Sequence, residues 1–186
     1  GAEGFHFRGA QVLSAPHPLG ILEFDACPAE PISLEGFKLG MRTLDCLRVS
    51  VAAAACGMAG RALREATQHA LKRQQFGQPL AEFQLIQQKL AQMAIALEAA
   101  RLLTYRAAWE RDQGQSRNTR SVAMAKAFAT EQAQQIIDQA MQVLGGIGML
   151  SDHPVEHLYR SIRALRIYEG TTEIQHLIIA RDLLKQ

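Results

Sequence analysis

From Phe37 almost to its end, the chain repeats apolar residues every three or four positions, the period of an α-helix with one buried face. Over roughly 39–72 this stripe is Leu44, Leu47, Val51, Ala54 and Met58. The small residues Ala52–Ala55, Gly57, Ala59 and Gly60 there permit close helix packing. Gly77-Gln78-Pro79 interrupts the pattern. A second helix follows over about 81–112, with Ile86, Leu90, Met93, Leu97 and Ala100 inward, and then a polar loop, Asp112–Ser116. A third helix over about 119–144 turns Val122, Ala125, Phe128, Ile136, Ile137, Ala140 and Leu144 inward, and Gly145-Gly146-Ile147-Gly148 ends it, glycine being favoured just past a helix. His153-Pro154 opens a short fourth helix reaching about Arg163, and a last one spans about 172–185 with Ile174, Leu177, Ile178 and Leu184 apolar. Long helices on short links predict a mainly α fold, an antiparallel four-helix bundle.

Residues 1–36 read differently. Pro16, Pro18, Pro28 and Pro31, several glycines, and the short runs Gln11-Val12-Leu13 and Gly20–Asp25 predict strands and turns. Two or three strands are not stable alone, so the segment reads as the terminal strands of an incomplete β-domain, with the helical domain over 37–186. Of 186 residues, 48% are hydrophobic and 20% charged, which excludes a disordered chain. A net charge of +2, without basic runs, argues against nucleic acid as a partner. The longest greasy stretch, Val49–Ala59, is Ala-rich, broken by Gly57, and short for a membrane span. No signal peptide is expected. Cys27, Cys46 and Cys56 lack metal-like spacing and read as reduced, buried packing residues of a cytosol-like compartment.

The stretch with chemical promise is Arg166-Ile-Tyr-Glu-Gly-Thr-Thr-Glu-Ile174. Glu169 lies on a short link between two helices, among Leu165, Ile167 and Tyr168. Gly170 beside it is conformationally free. Thr171 and Thr172 both suit a helix N-cap, and Gln175 stands three beyond Thr172 as in a capping box. Apolar neighbours that strip water from a carboxylate raise its pKa and make it a base near neutral pH. A helix N-terminus just after it acts the other way, and a solvated helix-end acid explains the same residues. His153-Pro-Val-Glu156-His157 spells a zinc-peptidase pattern, yet Pro154 places His153 in a cap, off the helix face; no metal site is expected. The glycines at 145–148 follow a helix, unlike a dinucleotide fingerprint. Arg73-Gln-Gln-Phe76-Gly77-Gln-Pro79 puts a guanidinium and an aromatic ring in a helix-end turn. That suits a phosphate and a cofactor ring, or simply the helix C-terminal carbonyls. Asp45 and Arg48, three apart, read by themselves as a surface ion pair.

Taken together, Arg73-Gln-Gln-Phe76-Gly77 with Phe83-Gln84, Gln142-Val-Leu-Gly145-Gly146-Ile-Gly148, and Tyr168-Glu169-Gly170-Thr171 resemble, in order and spacing, motifs of the acyl-CoA dehydrogenases. The resemblance covers nearly the whole chain. It matches that family's carboxy-terminal half, with Leu22–Pro28 similar to the last strand and exit turn of its middle β-domain.

The resemblance implies FAD as cofactor and oxidation of an acyl-CoA thioester to its trans-2-enoyl form, Glu169 removing the α-proton while the β-hydrogen leaves as hydride to the flavin N5. In another branch of the family the base comes from the first helix. That position here is Leu47, which cannot take a proton. The thioester oxygen would rest on the backbone N–H of the base and a flavin ribityl hydroxyl, an oxyanion arrangement. Arg73 and Phe76 are similar to the pair reaching the pyrophosphate and adenosine side of FAD across a dimer interface, and Gln84 to another flavin contact. Gln142, Gly145 and Gly146 resemble the loop on the partner subunit's FAD; Thr171 and Glu173 resemble cofactor contacts just after the base. Arg48 with Asp45, and Tyr168 with Gly170, resemble substrate-site residues. A homodimer or homotetramer follows, with an electron-transfer flavoprotein as acceptor and a cytoplasmic or mitochondrial-matrix location.

The family's amino-terminal helical domain and most of its β-domain lie outside the resemblance. The isolated chain is therefore expected to bind FAD weakly and turn over poorly. Other readings are a non-catalytic helical assembly half-subunit, an acyl-CoA oxidase-like flavoprotein, and a DNA-alkylation-response relative, the last disfavoured by the charge.

Overall fold

A computed structural model describes residues 2–11, 13–15, 17–114 and 118–185. The chain opens with an antiparallel hairpin, β1 (Phe5–Gln11) and β2 (Leu19–Phe24), pairing Phe5 with Phe24 and Gln11 with Leu19. The first strand is thus earlier than the expected Gln11–Leu13 run, of which Val12 lies outside the described residues. Phe7, Leu19, Leu22 and Phe24 are exposed, as in strands that have no second layer to cover them.

The remainder is helical: α1 (Gly36–Lys72), α2 (Gln84–Asp112), α3 (Thr119–Leu144), α4 (Pro154–Leu165) and α5 (Thr172–Leu183). The expected polar loop after α2 falls partly outside the described residues, at Gln115 and Ser116. Between α1 and α2 a minimal hairpin, β3 (Gln74–Gln75) and β4 (Gln78–Pro79), turns through Phe76 and Gly77 at φ +53° and +82°. Two left-handed residues at such a turn match the twist of the strands. His153 caps α4, its Nδ1 accepting the Val155 N–H at 3.2 Å, and Pro154 takes the first turn, where a missing N–H costs nothing.

α1 and α3 form the most extensive helix pair. Its seam is alanine: Ala52, Ala55, Ala59, Ala62, Ala66 and Ala70 on α1, with Ala125, Ala129, Ala133 and Ala140 on α3, all buried. The buried face of α1 is therefore rotated from the expected one. Val51 is inside, while Leu47 is exposed and Ala54 lies outward. Small side chains let two backbones approach, so the alanine face was preferred over the leucine face for the seam. The stripes of α2 and α3 agree with their period: Met93, Leu97, Ala100, Val122, Ala125, Ile136, Ile137, Ala140 and Leu144 are buried. By length and composition α1 is apolar enough to cross a membrane, contrary to the sequence reading. Much of that apolar character is the alanine of the seam.

α2 runs antiparallel to α1 and α3. The fourth position of the bundle holds two helices in tandem. α4 starts beside the 3-10 turn Gly145–Met149 that follows α3 and runs back along it; α5 continues until Asp182 meets Arg120 at 3.2 Å near the start of α3. The break between them is residues 166–171. Ile174 and Leu177 of α5, and Leu184 just past its end, remain exposed, and its buried residues are Thr172 and Gln175. Of the cysteines, Cys56 is buried, Cys27 half-buried and Cys46 exposed, so the expectation of three packing thiols holds for one.

Candidate active site at the break between α4 and α5

Breaking the fourth helix leaves backbone carbonyls without helical partners, and a buried orphan carbonyl is costly. Side chains from three helices meet that need. Arg48 of α1 donates from Nε to the Glu169 carbonyl at 2.9 Å, and Lys126 of α3 from Nζ to the Gly170 carbonyl at 2.8 Å. Gln175 of α5 donates from Nε2 to both, at 3.2 and 3.0 Å. Lys126 and Gln175 are wholly buried and Arg48 is 5% exposed.

The link turns through two consecutive left-handed residues, Glu169 at φ +57° and Gly170 at φ +88°. A Cβ on Gly170 would stand 2.8 Å from Gln175 Nε2, so glycine is required there. Glu169 is half-buried, and its carboxylate Oε2 is buried with no hydrogen-bond partner. An acceptor kept from water and left unpaired is rare in folded proteins.

Asp45 and Arg48 do form their pair, NH1 to Oδ1 at 3.0 Å, and Asp45 Oδ2 accepts from Thr119 Oγ1 at 2.7 Å. It is not the surface pair that spacing alone suggests: Arg48 spends its guanidinium on Asp45 and on the backbone of Glu169. Thr171 caps α5, its Oγ1 accepting the Ile174 N–H at 3.5 Å and holding the Glu173 carboxyl below its usual range. Thr172, the other cap candidate, donates instead to Glu131 Oε1 at 2.6 Å, where Arg166 also pairs at 2.7 Å. Gln175 consequently serves the link carbonyls rather than a capping box. Tyr168 is edge-to-face with His17, ring centroids 5.8 Å apart; burial and the neighbouring Glu169 push its phenol above the ordinary value.

Arg73, Gly145 and Gly146 meet elsewhere, in a groove of about 600 Å³ also lined by His69, Gln75 and Leu150. Beside Arg73, His69 is held below its usual range by burial, then by the charges of Arg73 and His153. Phe76 projects from its turn 93% exposed, touching the Phe83 ring at 6.3 Å. Gln84, at the start of α2, and Gln142, in the last turn of α3, are exposed outside the groove lining. Arg48 and Arg73 are 25 residues apart on one helix, roughly 37 Å. That exceeds an extended flavin dinucleotide, so the residues assigned to FAD divide into two groups: Thr171 and Glu173 at the link, the rest at the other end of the bundle.

The residues at the far end suit such a cofactor. Arg73 has no carboxylate partner among the described residues, and Gly145 and Gly146 have open space where a Cβ would stand. An exposed ring adds a packing surface, and guanidinium beside bare backbone suits a diphosphate. A hollow of about 930 Å³ between α2, α3 and α4 meets the link at Arg166. Around 153–157, Glu156 pairs with Arg160 at 2.7 Å, and among the described residues no cluster of three His, Cys, Asp or Glu could hold a metal.

Lys126, Glu131 and Thr119 escaped the sequence reading. Lys126 stands on the inward stripe Val122–Lys126–Thr130–Ala133–Ile137, and a charge on an apolar stripe was the available signal.

Residues 35–184 match the model of the acyl-CoA dehydrogenase C-terminal domain. The chain is 51% identical over 150 residues to the bovine (Bos taurus) mitochondrial short-chain specific acyl-CoA dehydrogenase, covering 81% of this chain and 36% of that protein. It is 47% identical over 151 residues to a 3-(aryl)acrylate reductase of Clostridium sporogenes, covering 81% and 40%. Butyryl-CoA dehydrogenase from Megasphaera elsdenii superposes with a TM-score of 0.93 at 36% identity, covering 100% of this chain and 50% of that one. A chain from a structure named for the electron transferring flavoprotein of Acidaminococcus fermentans gives 0.95, also at 36% identity, with the same coverage. The chain spans about two-fifths of the length of the curated relatives it matches. The matched span and its helical fold agree: the chain belongs to the acyl-CoA dehydrogenase family, in the C-terminal domain.

Proposed function

We propose that this chain is the C-terminal part of an FAD-dependent acyl-CoA dehydrogenase in which Glu169 takes the α-proton of an acyl thioester. The observation that carries this is the Glu169 carboxylate: one oxygen is buried and unpaired, while the same residue's backbone is clamped by Arg48 and Gln175. A base for a C–H proton works best when no stronger donor occupies it, because a standing hydrogen bond must break before transfer. Clamping the carbonyl fixes the direction of the side chain without touching the acid itself. Tyr168 and Gly170 flank it, the ring shielding the acid from water and the glycine letting the link pack against Gln175 and Arg48.

FAD, when bound, supplies the acceptor for the hydride that leaves the β-carbon. The two groups of cofactor residues lie beside Arg48 and beside Arg73, roughly 37 Å apart along α1, which supports contact with two different FAD molecules: Thr171 and Glu173 with the one serving this Glu169, and Arg73, Phe76, Gln84, Gln142, Gly145 and Gly146 with a partner subunit's. On this reading the enzyme is at least a homodimer, and the rest of each FAD site lies in sequence beyond this domain. An electron-transferring flavoprotein is the proposed acceptor, in keeping with the Acidaminococcus fermentans match.

One relative is named a reductase of acrylates. Reduction of an α,β-double bond is the reverse of the same step, with Glu169 returning a proton to the α-carbon. Direction is decided by assaying the complete enzyme with saturated thioesters and a dye acceptor, and with enoyl or aryl-acrylate substrates and a reductant. In either direction, Glu169→Gln is expected to fold, assemble and keep flavin absorbance, yet lose at least ~10³-fold in kcat. Activity within a few-fold of wild type removes Glu169 as the base. A wild-type enzyme that assembles and never turns over favours the assembly half-subunit.

A further inference from the structure

Glu169 bears a side chain in the left-handed region, a conformation that persists only where surrounding contacts hold it. Arg48 and Gln175 hold its carbonyl. Lys126 holds the next one and is itself unexpected: a wholly buried ammonium with no carboxylate within ion-pair distance among the described residues, resting on a backbone oxygen at 2.8 Å. A buried cation of this kind is expensive, and a neutral donor such as Gln175 already satisfies the same oxygen. The feature a neutral donor lacks is charge, which strengthens the bond to the carbonyl.

We propose that Lys126 is a positioning residue for Glu169: as a cation against the Gly170 carbonyl it pins the left-handed turn that aims the carboxylate. The kinetic part of this rests on the reading of Glu169 as base; the conformational part does not.

The charged groups facing Lys126 are Arg48 from α1, Glu131 on α3 itself, Glu169 from the link and Glu173 from α5. Burial, then Arg48, bring its pKa down to about 8 from the ordinary 10.5, with the three carboxylates opposing. Two consequences run in opposite directions as pH rises. The charge on the Gly170 carbonyl is lost through about pH 8. The unfolded chain, however, binds this proton more tightly, so the contribution of Lys126 to stability rises between about pH 8 and about pH 10.5. A lysine that merely supported the fold would move activity and stability together.

The test compares wild type with Lys126→Met in the complete enzyme. Methionine keeps the length without charge, and Gln175 still satisfies the Gly170 carbonyl. The conformational readout is hydrogen-exchange protection of the Thr172 amide, which closes the turn by donating to the Arg166 carbonyl at 3.2 Å. In wild type, Thr172 protection and kcat are each expected to fall about tenfold through about pH 8. Over the same interval the thermal stability of wild type relative to Lys126→Met should rise. The variant should fold, show the lower protection and lower kcat at every pH with the step near pH 8 gone, and keep KM near wild type. Equal Thr172 protection in both proteins at neutral pH overturns the proposal, as does a wild-type kcat that stays flat to about pH 10. If Glu169→Gln proves active, the base reading fails, and Thr172 protection by itself decides whether Lys126 positions the turn.

Discussion

At the α4–α5 link, the chain answers most of its own polar groups, though Gln175 Oε1, like Glu169 Oε2, is buried without a partner. Asp45, Arg48, Thr119, Lys126 and Gln175 are tied to one another or to the carbonyls of Glu169 and Gly170, and the carboxylate tip of Glu169 is left free. At the far end of α1 the reverse holds. Arg73 has no carboxylate partner among the described residues, Phe76 stands in solvent, and Gly145 and Gly146 border an open groove. The first end is preorganised from within the domain, as a site needs when a group must be aimed closely. The second is half of a surface, complete when something is laid upon it.

Three substitutions probe that contrast. Arg48→Met is expected to cost most, about 3 kcal/mol in urea unfolding, because it leaves the half-buried Asp45 without its cation and takes one of two donors from the Glu169 carbonyl. A loss near zero would mean the link is held by packing, and the contrast would fail. Gly170→Ala should cost about 2 kcal/mol, from its φ of +88° and the approach to Gln175. Its kcat should fall further than its stability implies, since the turn that aims Glu169 is displaced. Arg73→Ala should leave unfolding within ~0.5 kcal/mol of wild type while weakening FAD binding to the assembled enzyme. A stability loss comparable to that of Arg48→Met would show that the far end, too, is internally committed.

Local signals carried much of this into the sequence. The C-terminal limit of α3 follows from the glycine at 145, and the Phe76-Gly77 and Glu169-Gly170 pairs mark where the chain turns sharply. The facing of α1 was not legible. Periodicity weights bulky residues, whereas close approach of two helices selected the alanine side and left Leu47 outside. The company of Glu169 was hidden for another reason. Arg48, Lys126 and Gln175 are 121, 43 and 6 residues from it in sequence, and nothing local says that three donors converge on two carbonyls. Thr172 shows the same limit on a small scale: two adjacent threonines suit a cap equally, and Glu131 across the bundle decides which is free for another task.

The alanine seam between α1 and α3 has a mechanical consequence. Two backbones touching along several turns have little room to slide, so the seam works as a rigid strut between the clamp on Glu169 and the groove at Arg73. A neighbouring molecule seated on one extremity is thereby held at a set reach from the other, and the spacing of an assembly built on this domain is gauged by the length of a single helix.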